Sequence, residues 1–421
     1  MALPFPCIPI RFDRHAAVIA PGDGCWRPLL GDQARTPSDL IVISHGWNNT
    51  RAEAENLYSD LLGHAALLLR EGRLPGLAGR RLAVLAVYWP SKRFAPQDRG
   101  GGNAAGAGDR LDRESLGQLI EALGRCFDSP AEAATLEAMA GLLPRLKNSD
   151  SACEGFVTLA RSLVTAGRPD PEEGSDRFFN DPPLRLFQTL ATPWAAAATP
   201  MSNLGAATAG QAAAAGPGDL FGGIGSAARA VLNLTTYYAM KERAGLIGST
   251  GLNPLLRAIV RECPALRLHL VGHSFGGRLV SATAAGTSDA TVLQAHSMSL
   301  LQAAFSHYGF ARNWDGHNSD GSFRRVVDRQ AIQGPILITH TSRDTAVGMA
   351  YPLASLLAGQ NASALGDSGS TYGGIGRNGA QKTPEALQER LLPAGGSYGF
   401  LPGRLHNLNA RNDAGDLIRH H

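Results

Sequence analysis

Short, nearly continuous apolar runs separated by helix-period segments set the pattern of this chain. Residues 40–44 (LIVIS), 82–88 (LAVLAVY) and 266–271 (LRLHLV) read as buried strands, and 298–305, 336–339 and 405–408 as three more. The first opens at His45 and Gly46 into a loop and then a helix over 52–70. The second stops at Pro90, and the third runs into Gly272 and a helix over 278–285. Strands with little polar alternation, joined through helices, predict an α/β fold: a mainly parallel central sheet flanked by helices. Residues before 39 show little period and much Pro and Gly, which predicts an extended leader crossing the body.

The spacing of these runs is uneven. About 175 residues separate the strand ending near Tyr88 from the one starting at Leu266, and an interval of that length must carry structure of its own. Helical periods over 111–127, 131–146 and 156–166 predict a large helical insertion before the third strand. The expected organisation is therefore an N-terminal part of the core over 1–99, an Ala/Gly-rich helical insertion or cap over 100–250, and a C-terminal part of the core over 251–421.

Composition narrows the partners. Apolar residues make up 44% of the chain and charged residues 18%, which fits a folded globular protein rather than a fibre or a disordered chain. The net charge of +3 is spread along the chain with no basic run or aromatic-basic interleaving, so nucleic acid is not expected as a partner. Residues 1–6 lack a basic stretch leading into a continuous apolar segment, which points to the cytoplasm. Cys7, Cys25, Cys126, Cys153 and Cys263 lack C-x-x-C spacing and suggest neither a disulfide framework nor a zinc site. His296, His307 and His317 lack the helical spacing and acidic partners of a metal site. The Gly-rich stretches 100–108 and 372–379 match neither nucleotide-binding pattern. No cofactor or metal is expected.

One motif carries chemistry. Gly272-His273-Ser274-Phe275-Gly276 is a complete G-x-S-x-G placed directly after an apolar strand and directly before a helix. Small residues at 272 and 276 permit a sharp strand-to-helix turn, which projects the Ser274 hydroxyl and aims a helix N-terminus at an acyl oxyanion. An uncharged serine is a weak nucleophile and needs that support. These residues resemble the nucleophile elbow of the α/β-hydrolase superfamily, and the likeness covers roughly 38–92 and 262–421. It implies a serine hydrolase of esterase or lipase type. By the same resemblance His45-Gly46-Trp47 matches the oxyanion loop, with the backbone amides of Trp47 and Phe275 as the two donors and His45 as an organiser of the loop.

The acid and base follow from strand ends. Asp344 lies just past the apolar run ending at Ile338, where a carboxylate can orient a histidine and stabilise its cationic form; Asp315 or Asp320 is the reserve. The resemblance places the base beyond the last strand, which favours His421, then His420, then His406. Little follows these histidines, where the superfamily ordinarily carries a final helix. His269, within a strand, and His273, in the elbow, read as packing or hydrogen-bonding residues.

The expected reaction is hydrolysis of a carboxylic ester or related acyl bond through a Ser-His-Asp triad and a covalent acyl-enzyme. Amide, thioester and lactone hydrolysis use the same machinery, and a noncatalytic binding protein on the same fold is the competing class. Residues 186–218 run without a charge. Residues 186–190 with Trp194 and Met201 offer apolar surface, and Gly205, Gly210 and 216–218 offer hinges, so the insertion is expected to admit a small, apolar acyl substrate. Pro200, Asn203 and Gln211 interrupt the Ala-rich run, which argues against stable transmembrane insertion and leaves room only for weak membrane-surface contact.

Overall fold

A computed structural model of the chain describes residues 3–20, 27, 36–91, 108–164, 170–191, 223–288, 291–344, 372–412 and 415–418. Its core is a nine-stranded sheet in the order β2-β1-β4-β3-β5-β6-β7-β9-β8. The strands are β1 (Cys7–Phe12), β2 (Val18–Ala20), β3 (Asp39–Ser44), β4 (Leu82–Tyr88), β5 (Arg267–His273), β6 (Ser297–Leu301), β7 (Ile336–His340), β8 (Ala386–Arg390) and β9 (Leu405–Asn409). Every neighbouring pair is parallel except β1 with β2. Two-sided burial explains why β3 and β4 read as unbroken apolar runs, for nearly all their residues are buried.

From β3 the chain moves outward one way to β4, and from β5 the other way to β6. The connections therefore diverge between β3 and β5, which makes the crevice at their carboxyl ends the expected ligand site of an open parallel sheet. Ser44 and Gly272 are register partners at that end, so the sheet itself sets Gly46 beside Ser274.

Helix α1 (Arg51–Arg70) starts at a capping box, in which the Thr50 hydroxyl accepts from Glu53 N–H and the Glu53 carboxylate accepts from Thr50 N–H. Its buried face packs Ala54, Tyr58 and Leu62 against Ile43, Val84, Ala86 and Tyr88. The long connection between β4 and β5 is helical. It holds α2 (Gly108–Leu123), α3 (Pro130–Leu142), α4 (Asp150–Ser162), α5 (Asp176–Asn180), α6 (Pro183–Ala191), α7 (Ile224–Leu246) and α8 (Asn253–Glu262). Helix α3 begins at a second capping box, Ser129 with Glu132, followed by Pro130 in the first turn. Helix α9 (Phe275–Ala285) follows β5, α10 (Arg324–Asp328) follows β6, and α11 (Ile375–Asn378) follows β7.

The described residues divide into two compact units, one drawn from Met1–Ser91, Arg243–Gly348 and Gly366–His421, the other from Lys92–Glu242. This is the α/β-hydrolase architecture with a large helical insertion between β4 and β5. Most of the uncharged stretch 186–218 lies outside the described residues. Among the described residues no helix is long and apolar enough to cross a membrane.

The leader before 39 is in part sheet. Pro9 interrupts a strand pattern, yet β1 pairs with β4 on one side over Cys7 to Arg11 and with β2 on the other only at Arg11 and Phe12. A missing N–H is tolerated where the outer side of a strand has no partner. Strand β8 carries Glu389 and Arg390 and closes the opposite edge, where charge rather than apolar period is the expected composition.

Candidate active site

Ser274 has φ 55° and ψ −124°, a backbone conformation that L residues with side chains rarely adopt and that costs roughly 1–3 kcal/mol. The fold imposes it by crowding. A side chain at Gly276 would overlap the carbonyl oxygen of Ser44, and one at Gly46 would stand 2.6 Å from Ser274 Cβ. The turn is clamped from β6 as well: Ser274 N–H donates to Leu301 O at 3.1 Å, and Ala304 N–H donates to Ser274 O at 3.0 Å. Ser274 thus occupies the strained turn between β5 and α9, with Gly46 packed directly against it.

The loop after β3, His45-Gly46-Trp47, is held from several sides. His45 is wholly buried, and burial pushes its imidazole down to about 4, partly offset by its bond to the Gly46 carbonyl. The neutral ring has one arrangement that fits both neighbours: Nδ1–H donates to Gly46 O at 2.9 Å, and Nε2 accepts Trp89 N–H at 3.3 Å. Asn49 donates to the same Gly46 oxygen at 3.2 Å. In a trans peptide the carbonyl and the following N–H point in opposite directions, so holding Gly46 O fixes the direction of Trp47 N–H. Tyr58 completes the frame, accepting His45 N–H at 2.7 Å and donating to Val87 O at 2.6 Å. The Trp47 and Phe275 rings meet edge to face, with centroids 5.8 Å apart.

The burial of His45 makes an acid-side prediction. Its folded pKa lies below the 6.5 of an unperturbed imidazole, so between pH 6.5 and about 4 the unfolded chain binds a proton that the native chain does not. Stability is therefore full above pH 6.5 and is lost as pH falls through that window, by on the order of 3 kcal/mol. His307, pushed to about 3 by burial and by Lys382, extends the loss to lower pH. Urea unfolding of wild type and His45→Asn at pH 7, 5 and 4 checks this: the variant is expected to be less stable at pH 7 but to lose less stability on acidification. An unchanged pH dependence would remove His45 as its source.

Asp344 is fully buried four residues beyond β7, and its N–H donates to Thr341 O at 3.0 Å. Strands β5 and β7 are two positions apart in the sheet, about 10 Å. Asp315 and Asp320 hold their own loop: Asp315 accepts His317 N–H at 2.7 Å, and Asp320 accepts Asn313 N–H at 2.9 Å. His406 is buried with both ring nitrogens engaged, Nδ1 with Glu389 at 2.7 Å and Nε2 accepting Leu401 N–H at 3.0 Å. His420 and His421 lie outside the described residues. Gly376, in the Gly-rich stretch, packs against Gln302 and donates its N–H to Ala303 O at 3.0 Å.

A second set has the contacts of an Asp-His-Ser triad. His269 Nε2 meets Asp39 at 2.9 Å and its Nδ1 meets Ser297 Oγ at 2.8 Å. Burial opposes the charge on Asp39, but bonds from Ser38, His269 and Arg80 prevail and lower its pKa. All three residues stand near the amino ends of their strands, the end opposite Ser274. Ser274 is five positions along the chain from His269, roughly 16 Å. Sequence alone reads His269 as a packing or hydrogen-bonding residue without naming its partners, because the contacts exist through the register that sets Ile41 beside His269 and His269 beside Ser297.

Among the described residues no group of three or more His, Cys, Asp or Glu could hold a metal ion. The fold, with the strained Ser274 turn at the carboxyl ends of its parallel strands, is that of the α/β-hydrolase class, and the Asp39–His269–Ser297 contacts lie at the opposite ends of those strands. Comparison with family models, curated proteins and solved structures found no match, so that class rests on the chain's own architecture.

Proposed function

We propose that the chain hydrolyses small-molecule carboxylic esters with apolar acyl groups, with Ser274 as nucleophile, Asp344 as orienting acid and His421 as base. The observation that carries this is the strained Ser274 turn at the point where the strand connections diverge, with Gly46 against it. Ser274 Oγ attacks the acyl carbon while the imidazole takes its proton, and the Trp47 and Phe275 amides receive the oxyanion. The imidazolium then protonates the departing alcohol. Water, deprotonated by the same imidazole, releases the acid and restores Ser274.

Ile418 supports the choice of base. It lines a cavity with Ser44, His273, Leu301 and Thr339, at the carboxyl ends of four strands, and His421 is three residues further along the chain, within about 11 Å by Cα spacing. His420 is the alternative, and the engagement of both His406 nitrogens makes it third. We keep residues 100–250 as the segment governing acyl access, on sequence grounds. Cys7, Cys126, Cys153 and Cys263 form no disulfide among the described residues, which suits a reducing compartment such as the cytoplasm.

Hydrolysis of p-nitrophenyl acetate by His421→Ala and His420→Ala tests the assignment. At matched folding, His421→Ala is expected to lower kcat/KM by about three decades or more, and His420→Ala to leave it near wild type. Full activity in both moves the base to another histidine. The Asp39–His269–Ser297 contacts favour a second reading, with Ser297 as the nucleophile; it lacks a strained elbow and a neighbouring helix N-terminus.

A further inference from the structure

We infer that the cavity beside the elbow, about 350 Å³ in volume, binds the acyl chain and selects chains of medium length. This inference rests on the esterase function proposed above. The cavity lies between the carboxyl half of the sheet and α1. Ile43, Val271 and Leu301 line it from β3, β5 and β6, Leu57 and Leu61 from α1, and Ile418 from the chain beyond β9.

Three observations point to an apolar chain. Leu61 remains 39% exposed although it lines the cavity, so apolar surface there awaits burial. Gln302 and Thr339, also in the wall, are bonded to each other, Nε2 to Oγ1 at 2.8 Å, which leaves less for a polar ligand. The nucleophile adjoins the wall: His273 lines the cavity, and Ser274 N–H is bonded to Leu301 O. The apolar space therefore begins one residue along the chain from Ser274. The volume falls at the low end of the roughly 300–1,000 Å³ of small-molecule sites. With a methylene taking roughly the volume of a water molecule, about 30 Å³, about a dozen carbons are the upper limit and a chain of about six to ten fits within it.

The prediction for p-nitrophenyl esters is a kcat/KM that rises about three- to fourfold per added methylene up to about octanoate and then levels or falls. Leu61→Trp, which fills the cavity from its α1 wall, should lower the octanoate-to-acetate ratio by about tenfold or more, the effect of two lost methylenes. Leu61→Ala should move the optimum to longer chains. A ratio that neither variant changes, in a protein whose acetate hydrolysis depends on Ser274, overturns the acyl cavity and leaves the esterase intact. Absence of Ser274-dependent hydrolysis instead counts against the esterase. Binding of sodium octanoate to Ser274→Ala, followed calorimetrically, then decides the cavity by itself: saturable binding weakened by adding Leu61→Trp upholds it, and no saturable binding, or binding indifferent to Leu61→Trp, overturns it.

Discussion

Ser274→Ala is expected to lower ester turnover by about five to six decades while leaving the protein folded. Losses of that size accompany removal of a triad serine, because the covalent route disappears and only binding and oxyanion stabilisation remain. The substitution removes one oxygen from a nearly buried side chain, and alanine retains the Cβ that rests against Gly46, so the melting temperature should move by only a few degrees. Retention of more than a few per cent of wild-type turnover, after contaminating hydrolases are excluded, would remove Ser274 from the chemistry. Ser297→Ala is the matched comparison and should keep wild-type turnover.

Asp344→Asn is expected to lower kcat/KM by about two to four decades with little change in substrate binding. An amide of the same shape fills the same buried position but can no longer hold the imidazole in the tautomer that accepts the serine proton, nor stabilise the imidazolium that forms. The readout is kcat/KM on p-nitrophenyl acetate at pH 7, alongside Asp39→Asn. If the acid is Asp344, Asp39→Asn changes stability, through its contacts with Arg80 and His269, far more than turnover. The reverse pattern, with turnover lost only in Asp39→Asn, would shift the chemistry to the amino ends of the strands.

Much of this architecture could be read from the chain, and the exceptions share a cause. The six strands recognised by apolar runs are interior to the sheet, where burial on both faces of β3 and β4 writes an unbroken signal and β5 and β6 alternate buried with half-buried positions. Strands β1, β2 and β8 sit toward or at the edges, where one-sided pairing admits Pro9, Glu389 and Arg390 and the signal fades. The elbow was legible because its requirements are local: Gly272 and Gly276 are needed for contacts within a few residues of Ser274 and with the end of β3. The place of Asp344 just past a strand was legible from the apolar run before it. No period distinguishes the adjacent His420 and His421. The Asp39–His269–Ser297 contacts were illegible for another reason. They depend on three strands lying side by side in one register, and a single sequence does not display that pairing.

The most direct test of the central claim is covalent labelling. Folded wild-type protein is treated with a fluorophosphonate, digested, and the modified residue located by mass spectrometry. The expected result is rapid modification at Ser274 alone, abolished in Ser274→Ala and retained in Ser297→Ala. Modification at Ser297 in place of Ser274, or no modification of the folded protein, would contradict it.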